Sequence, residues 1–512
     1  MSYQNALVLQ DLPEGKPVRV PIGDTDILLI RNGEAVNAFQ AKCPHSGAPL
    51  EEGAICEGKL ICPWHKANFD ISDGHLCEPL ALSDLQRYPV NIVNGMVQVE
   101  PEALPPLYRF SADREEPVFV VLGTGAAGSA AAWTLRREGF KGRLVLVDRE
   151  TEAPYDRTVL TKFVPAGKMT IDEVPSVLDD DFFDVAERKQ GDVEQLDTQA
   201  QTLRFADGST LRYDKLLIAT GGIPQRPDLE GKALFGVHVL RSLEQAETLL
   251  NEVDSSKKLV IIGNNFISTE LASALRSRDI DVQIITRSPL PFEKQFGEEL
   301  ARYFRRLHEE NGVRFVEGEP DKLEGADGKV NGVRLKSGVT VAADVVLLAT
   351  GVAPGTDFIH DIPLRDDGSL TATETLEVAR NVWAAGDIVS YPVASGYQRI
   401  EHWRVAQQQG RISAKNMLEK TEPFNRVPFF WTAQFGTRYE YLGHASEWDD
   451  YTLLGSLEDK TFVALYGQKG QLAALASCGM YTFTAEMIRR MQHPLSVDEA
   501  ASLAQKALDE KR

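Results

Sequence analysis

The chain has 512 residues and a formal net charge of −20, from 55 Lys and Arg against 75 Asp and Glu. Its length implies several domains, and its 43% hydrophobic and 25% charged residues are ordinary for a soluble globular protein. The charge argues against nucleic acid and anionic membranes as partners. No apolar run reaches membrane-spanning length. The N-terminus MSYQNALVLQDLPEGKP has no basic stretch followed by an apolar core, so a cytoplasmic location is expected.

In chain order, residues 1–103 read as all-β. Short alternating runs (VRVPI, ILLIRNG, VNAFQA, NIVNGMVQVE) are separated by Gly, Pro and Asp turns. Residues 104–116 are rich in Pro and charge and read as a linker that lets the first domain swing outward. VFVVLGTGAAGSAAAWTLRREG then reads as strand, glycine turn and helix, followed by the strand KGRLVLVDRE; a similar unit starts at Lys258. Two such units predict two α/β dinucleotide sites of the Rossmann type. The expected division is 117–238 with 358–423 for one, 239–357 for the other, and an α+β domain over 424–512.

Five cysteines do not make a disulfide framework, yet four of them lie between Cys43 and Cys77. Cys43-x-His45 and Cys62-x-x-His65 form two Cys–His pairs, a donor set that both iron and zinc accept. Three details favour a [2Fe–2S] cluster with two Cys on one iron and two His on the other. One residue separates the first pair, Pro44 and Pro63 stiffen the ligand loops, and the surroundings are short strands with no helix. The segment resembles the Rieske family; structural zinc is the alternative. High-potential Rieske relatives carry an extra disulfide cysteine and hydroxyls near the sulfurs. Here Ala48, Ala67 and Phe69 stand at those places, which implies a potential toward the lower end of the range. Cys56 and Cys77 have no ligand spacing and are expected to be packed thiols, with pairing between them left open.

Gly123, Gly125 and Gly128 of GTGAAG sit between a buried strand and a helix, where a turn and the helix N-terminus take up a pyrophosphate. Asp148, at the end of the next strand, is placed to accept from ribose hydroxyls. LLIATGG and VWAAGDI resemble the two further FAD-contact segments of two-dinucleotide flavoprotein reductases, and PYDRTVLTK resembles that family's R-P-x-L-S-K. The resemblance implies FAD contacts at Ala126, Ala127, Arg149, Arg157, Lys162, Val193, Thr220, Gly221 and Asp387. Residues 149–170 hold no cysteine, so thiol–disulfide chemistry at the flavin is not expected.

GNNFISTE (Gly263–Glu270) occupies the second fingerprint, with Asn265 and Ser268 where the family has glycine. Asn265 is expected to crowd the pyrophosphate. The resemblance implies nicotinamide contacts at Gly263, Asn265, Phe266, Ile267, Glu270 and Gly351, and a Lys162–Glu270 contact at the reacting edge. Thr286 stands where an NAD site usually has an acid, with Arg287 beside it, a slight lean to NADPH. EHWRVAQQQG and PFFWTAQFG match the segments that place Trp403 and Trp431 against the flavin in oxygenase-type ferredoxin reductases. Nearly the whole chain resembles apoptosis-inducing-factor-like proteins with a fused Rieske domain. That implies an NAD(P)H-dependent flavoenzyme feeding its own cluster and then an external acceptor protein. A redox-sensing module, or one component of a larger reductase complex, are the other readings. A homodimer is left open.

Overall fold

In the computed structural model, residues 2–113 and 115–511 are described; Met1, Arg114 and Arg512, which the expected domain and linker bounds include, lie outside them. The first domain is all-β. One sheet pairs Pro17–Ile22, Thr25–Asn32, Ala35–Gln40 and Arg87–Tyr88, and the first ligand loop follows its strand Ala35–Gln40; a second pairs Ala54–Cys56, Lys59–Ile61, Asn68–Asp70 and Leu76–Glu78, and the second ligand loop joins Lys59–Ile61 to Asn68–Asp70. Ile27–Ile30 are buried without alternation, because both faces of that strand are covered.

Two parallel sheets follow. Val118–Leu122 pairs with Arg143–Asp148 on one side and Lys215–Ile218 on the other. Helix α1 (Ala126–Arg137) follows the first of these strands. In the second sheet Lys258–Ile262 lies between Asp281–Thr286 and Val345–Leu348. Helix α2 (Leu243–Glu252) precedes that central strand, and α3 (Phe266–Arg276) and α4 (Glu293–Glu310) follow it. Helix α5 (Trp403–Met417) packs on α1. The C-terminal part is a five-stranded antiparallel sheet, starting at Phe429–Gln434, with α6 (Tyr481–Arg490) and α7 (Val497–Lys511). The expected architecture, all-β then two α/β units then α+β, is what the structure has. Among the described residues no helix is long and apolar enough to cross a membrane.

The first domain is not free to swing. Its core side chains, Leu28, Phe39 and Phe69 among them, are continuous with those of the first α/β sheet. Lys66 Nζ donates to both carboxylate oxygens of Glu440 at 3.0 and 3.1 Å, and both side chains are fully buried. Arg404, at the start of α5, donates to the carbonyls of Lys66 and Pro79. Arg426 Nε and Gln408 Nε2 both reach Glu78, at 2.6 and 2.7 Å. The expected linker is itself fastened: the Arg137 guanidinium lies 3.8 Å over the Tyr108 ring, and Phe110 meets Phe182 edge to face at 5.4 Å. Pro and charge mark this segment as irregular, but its two aromatics, each half-buried, pack on the first α/β unit and hold it.

Removing one partner of a buried ion pair leaves the other charge without compensation. Glu440→Ala is therefore expected to lower stability by about 3–5 kcal/mol. Denaturant unfolding monitored by fluorescence will show it as a lower midpoint.

Candidate functional site

The two ligand loops are built alike. Cys43 N–H donates to Ala48 O and Gly47 N–H to Cys43 O; in the second loop Cys62 N–H donates to Ala67 O and Lys66 N–H to Cys62 O. The turn requires a left-handed residue, supplied by Gly47 (φ +72°) in one loop and by Lys66 (φ +59°) in the other. The tips meet: His45 Nδ1 lies 3.0 Å from His65 Nδ1, and the Cys43 and Cys62 thiols are in hydrogen-bond contact. Backbone N–H groups of His45 and Ser46 point at the Cys43 sulfur, and those of Trp64 and His65 at the Cys62 sulfur. Burial lowers the proton affinity of both imidazoles, and Arg438 adds to this at His65, so both are held neutral. Two thiols, two neutral Nδ1 atoms and four N–H donors aimed at sulfur fit a [2Fe–2S] group with mixed Cys and His ligation. Cys56 and Cys77 are free and half-buried.

His45 and His65 also line a cavity of about 920 Å³, together with most of the expected dinucleotide residues. Gly123 (φ +94°) opens its floor; a Cβ there would lie 2.3 Å from the Ala219 carbonyl oxygen. Nothing stands within 4 Å of where a Cβ at Gly125 would be, so the N-terminus of α1 is clear for an anion. Ala126, Ala127, Arg149, Arg157, Val193, Thr220, Gly221, Asp387, Trp403 and Trp431 line the same space, whereas Gly128 packs beneath the loop against Gly123. A long, glycine-floored cavity ending at a helix N-terminus fits a flavin dinucleotide.

Asp148 lines the cavity and has a part beyond the one expected. Its oxygens accept from Thr124 N (2.7 Å), Thr124 Oγ1 (2.6 Å) and Glu150 N (3.0 Å), so it clamps the glycine loop. Glu150, two residues on, also lines the cavity and holds Arg157 at 2.6 Å and Tyr155 at 2.6 Å. Asp387 is paired with Arg241 at 2.6 Å, a partner that no motif announced.

Lys162 Nζ lies 2.9 Å from Glu270 Oε2, both side chains nearly buried. Thr161 Oγ1 and Thr432 Oγ1 donate to the two Glu270 oxygens at 2.6 and 2.8 Å. Gln434 Nε2 donates to Thr432 Oγ1, and its carbonyl oxygen lies 3.0 Å from His308 Nε2. Sequence reasoning missed Thr432, Gln434 and His308. The signal for the first two was present in PFFWTAQFG, as polar residues two apart on one face of a strand.

On the nicotinamide side Gly263 (φ +114°) passes close to the Ala349 carbonyl, as Gly123 does to Ala219. Asn265 does not project into the pyrophosphate approach. Its Oδ1 accepts from Ser268 N and its Nδ2 donates to Ala349 O, so it caps α3. Phe266 stacks on Phe292 with ring centroids 4.3 Å apart. Asn265, Phe266, Ile267, Glu270 and Gly351 line the cavity, and Gly263 lies under it. Thr286 and Arg287 lie outside the cavity lining. The Thr286 hydroxyl donates to Ser288 O, and Arg287, with a 75% exposed side chain, pairs with Glu319 at 2.9 Å.

Trp431 joins the two centres. Its ring lies 5.3 Å from that of His65, and Lys162 Nζ sits 5.0 Å over it. Arg438 covers it as well, at 5.1 Å.

The family described as pyridine nucleotide-disulphide oxidoreductase matches residues 118–410. The Rieske [2Fe-2S] domain matches residues 2–89, which decides between iron and zinc, and the reductase C-terminal domain matches 429–512. Apoptosis-inducing factor 3 of Homo sapiens is 32% identical over 494 residues, 92% of this chain and 80% of its own. The ferredoxin–NAD(+) reductase component of the biphenyl dioxygenase system of Paraburkholderia xenovorans (strain LB400) is 32% identical over 333 residues, 64% of this chain and 80% of its own. The covalent putidaredoxin reductase–putidaredoxin complex shares the fold with a TM-score of 0.72 and 24% identity, over 77% of this chain and 98% of that one.

Burial pulls His308 down to about 4, from an ordinary 6.5. Because the folded state binds the proton more weakly than the unfolded chain, stability falls as pH drops from about 6.5 toward 4. His308→Phe is expected to remove about 3 kcal/mol of that loss. Unfolding free energies across this pH window, with and without the substitution, measure it.

Proposed function

The chain belongs to the pyridine nucleotide-disulphide oxidoreductase family, and from that membership we propose how this FAD-dependent, ferredoxin-reductase-type enzyme works. It takes electrons from a reduced nicotinamide, passes them within the chain to its own Rieske cluster, and delivers them to an external electron-acceptor protein. The observation that carries this reading is Trp431, one indole in contact with both a cluster ligand, His65, and the Lys162–Glu270 pair.

When bound, FAD supplies the exchange between a two-electron hydride donor and a one-electron cluster. The chain's residues do the rest. The glycine loop and the α1 N-terminus hold the pyrophosphate, with Asp148 fixing the loop. Thr161 and Thr432 aim the Glu270 carboxylate, which holds the Lys162 ammonium in place at the cavity wall. Lys162 then stabilises negative charge developing beside it. The Trp431 ring excludes water between the two centres. Cys43, His45, Cys62 and His65 hold the cluster in the same chain that holds the flavin, so no second copy is required.

For the donor we place NADH ahead of NADPH. Arg287, the basis for expecting NADPH, is occupied by Glu319, whose carboxylate would repel a 2′-phosphate. The biphenyl-system relative is named for NAD(+).

Anaerobic titration with NADH and with NADPH, followed by absorbance and EPR, tests the reading. NADH is expected to bleach the flavin and produce the reduced-cluster signal at lower concentration than NADPH. His65→Ala should remove the cluster signal and leave flavin bleaching intact. Lys162→Met should slow flavin reduction by roughly a hundredfold. Turnover with neither nucleotide would defeat the proposal.

A further inference from the structure

Away from the redox cavity, three residues of one hairpin form a chain of contacts. Asp73 Oδ1 lies 2.8 Å from His75 Nδ1, and His75 Nε2 lies 3.4 Å from Cys77 Sγ. A carboxylate can only accept, so Asp73 fixes the proton on Nδ1 and turns the Nε2 lone pair toward the thiol. That is the arrangement of nucleophile, base and orienting acid. Burial raises the proton affinity of Cys77, while Lys59 lowers it, so an adjacent base is what a reaction at neutral pH needs.

Cys77 and His75 line a cavity of about 480 Å³ where the first domain, the first α/β unit and the C-terminal part meet. Six cations line it (Lys59, Arg137, Arg411, Lys415, Arg426 and Arg489) against two carboxylates, Glu78 and Glu138. Five of the cations have acidic partners: Asp70, Asp84, Glu422, Glu78 and Glu57. Arg411 differs. It is 7% exposed, its Nη2 donates to the carbonyls of Leu76 and Cys77, and its Nη1 has no hydrogen-bond partner. A buried guanidinium with a spare donor beside an open cavity is a place for an anion. Its bond to the Cys77 carbonyl puts that anion next to the thiol.

We propose that this cavity recognises a carboxylate-bearing, low-molecular-weight disulfide of the glutathione type, and that Cys77 exchanges with it to form a mixed disulfide. His75 takes the thiol proton. The Cys77 sulfur attacks one sulfur of the disulfide, the S–S bond breaks, and the departing thiolate takes the proton and leaves as one equivalent of thiol. Cys77 is oxidised from thiol to mixed disulfide by the incoming disulfide, one half of which leaves reduced as thiol, and no further oxidant is used. The adduct lies where Glu78 ties the first domain to Arg426 and Gln408.

The test uses the holoprotein, oxidised glutathione and peptide mass spectrometry over time. Cys77 is expected to gain one glutathionyl group roughly a hundredfold faster than Cys56, the other half-buried thiol, which has no histidine beside it. His75→Gln should slow Cys77 by about the same factor. Arg411→Gln should abolish the preference for oxidised glutathione over the cationic disulfide cystamine. In the same variant, retained reaction of Cys77 with uncharged methyl methanethiosulfonate, with flavin absorbance intact, would show that the fold survives. Three outcomes would overturn the proposal: Cys77 no faster than Cys56, an unchanged preference in Arg411→Gln, or a thiol reactive only after a chelator is added. The last would assign Asp70, His75 and Cys77 to a metal ion instead.

Discussion

A lysine one residue past a cluster ligand is buried against a carboxylate 374 positions away. That contact between Lys66 and Glu440 sets the geometry of everything else. It fixes the second ligand loop in a left-handed turn, seats that loop on the C-terminal sheet, and turns the imidazole tips into the flavin cavity. Glu440 is the one acidic partner of the Lys66 ammonium among the described residues, and Arg438 pairs with the same carboxylate at 2.6 Å. The position is reinforced by α5, whose Arg404, Gln408 and Arg411 bind first-domain groups while its buried face packs on α1. One helix therefore positions both the cluster domain and the dinucleotide loop.

This arrangement removes the diffusion step that separate reductase and ferredoxin chains require. The effective concentration of one centre at the other is set by a fixed interface rather than by a flexible tether. His45 and His65 both line the cavity that holds the expected dinucleotide residues, so a group held by the two loops would sit against that cavity.

What was legible in the sequence was local. Cys43-x-His45 and Cys62-x-x-His65, GTGAAG, and the strand–turn–helix around Gly263 carry their chemistry in a few adjacent residues. The Lys162–Glu270 contact came from resemblance, with both halves in recognisable segments, and the structure brings them together. What was not legible depends on pairs far apart in the chain: Lys66 with Glu440, Arg241 with Asp387, His308 with Gln434. Asn265 does not crowd the pyrophosphate approach as its place in the motif implies, because an Asn at a helix N-terminus turns back to cap it. Asp148 lines the cavity as expected and, beyond that expectation, accepts three hydrogen bonds from its own loop. The segment 104–116 has the composition of a spacer, and Tyr108 and Phe110 override it by packing, half-buried, against Trp133 and Phe182.

The most direct test of the central claim is the rate at which the cluster is reduced after rapid mixing of the holoprotein with excess NADH, followed by freeze-quench EPR across a wide range of protein concentration. Transfer through Trp431 inside one chain predicts a rate constant that does not change with concentration. A rate that climbs in proportion to protein concentration would mean that the flavin of one molecule reduces the cluster of another, and would contradict the account.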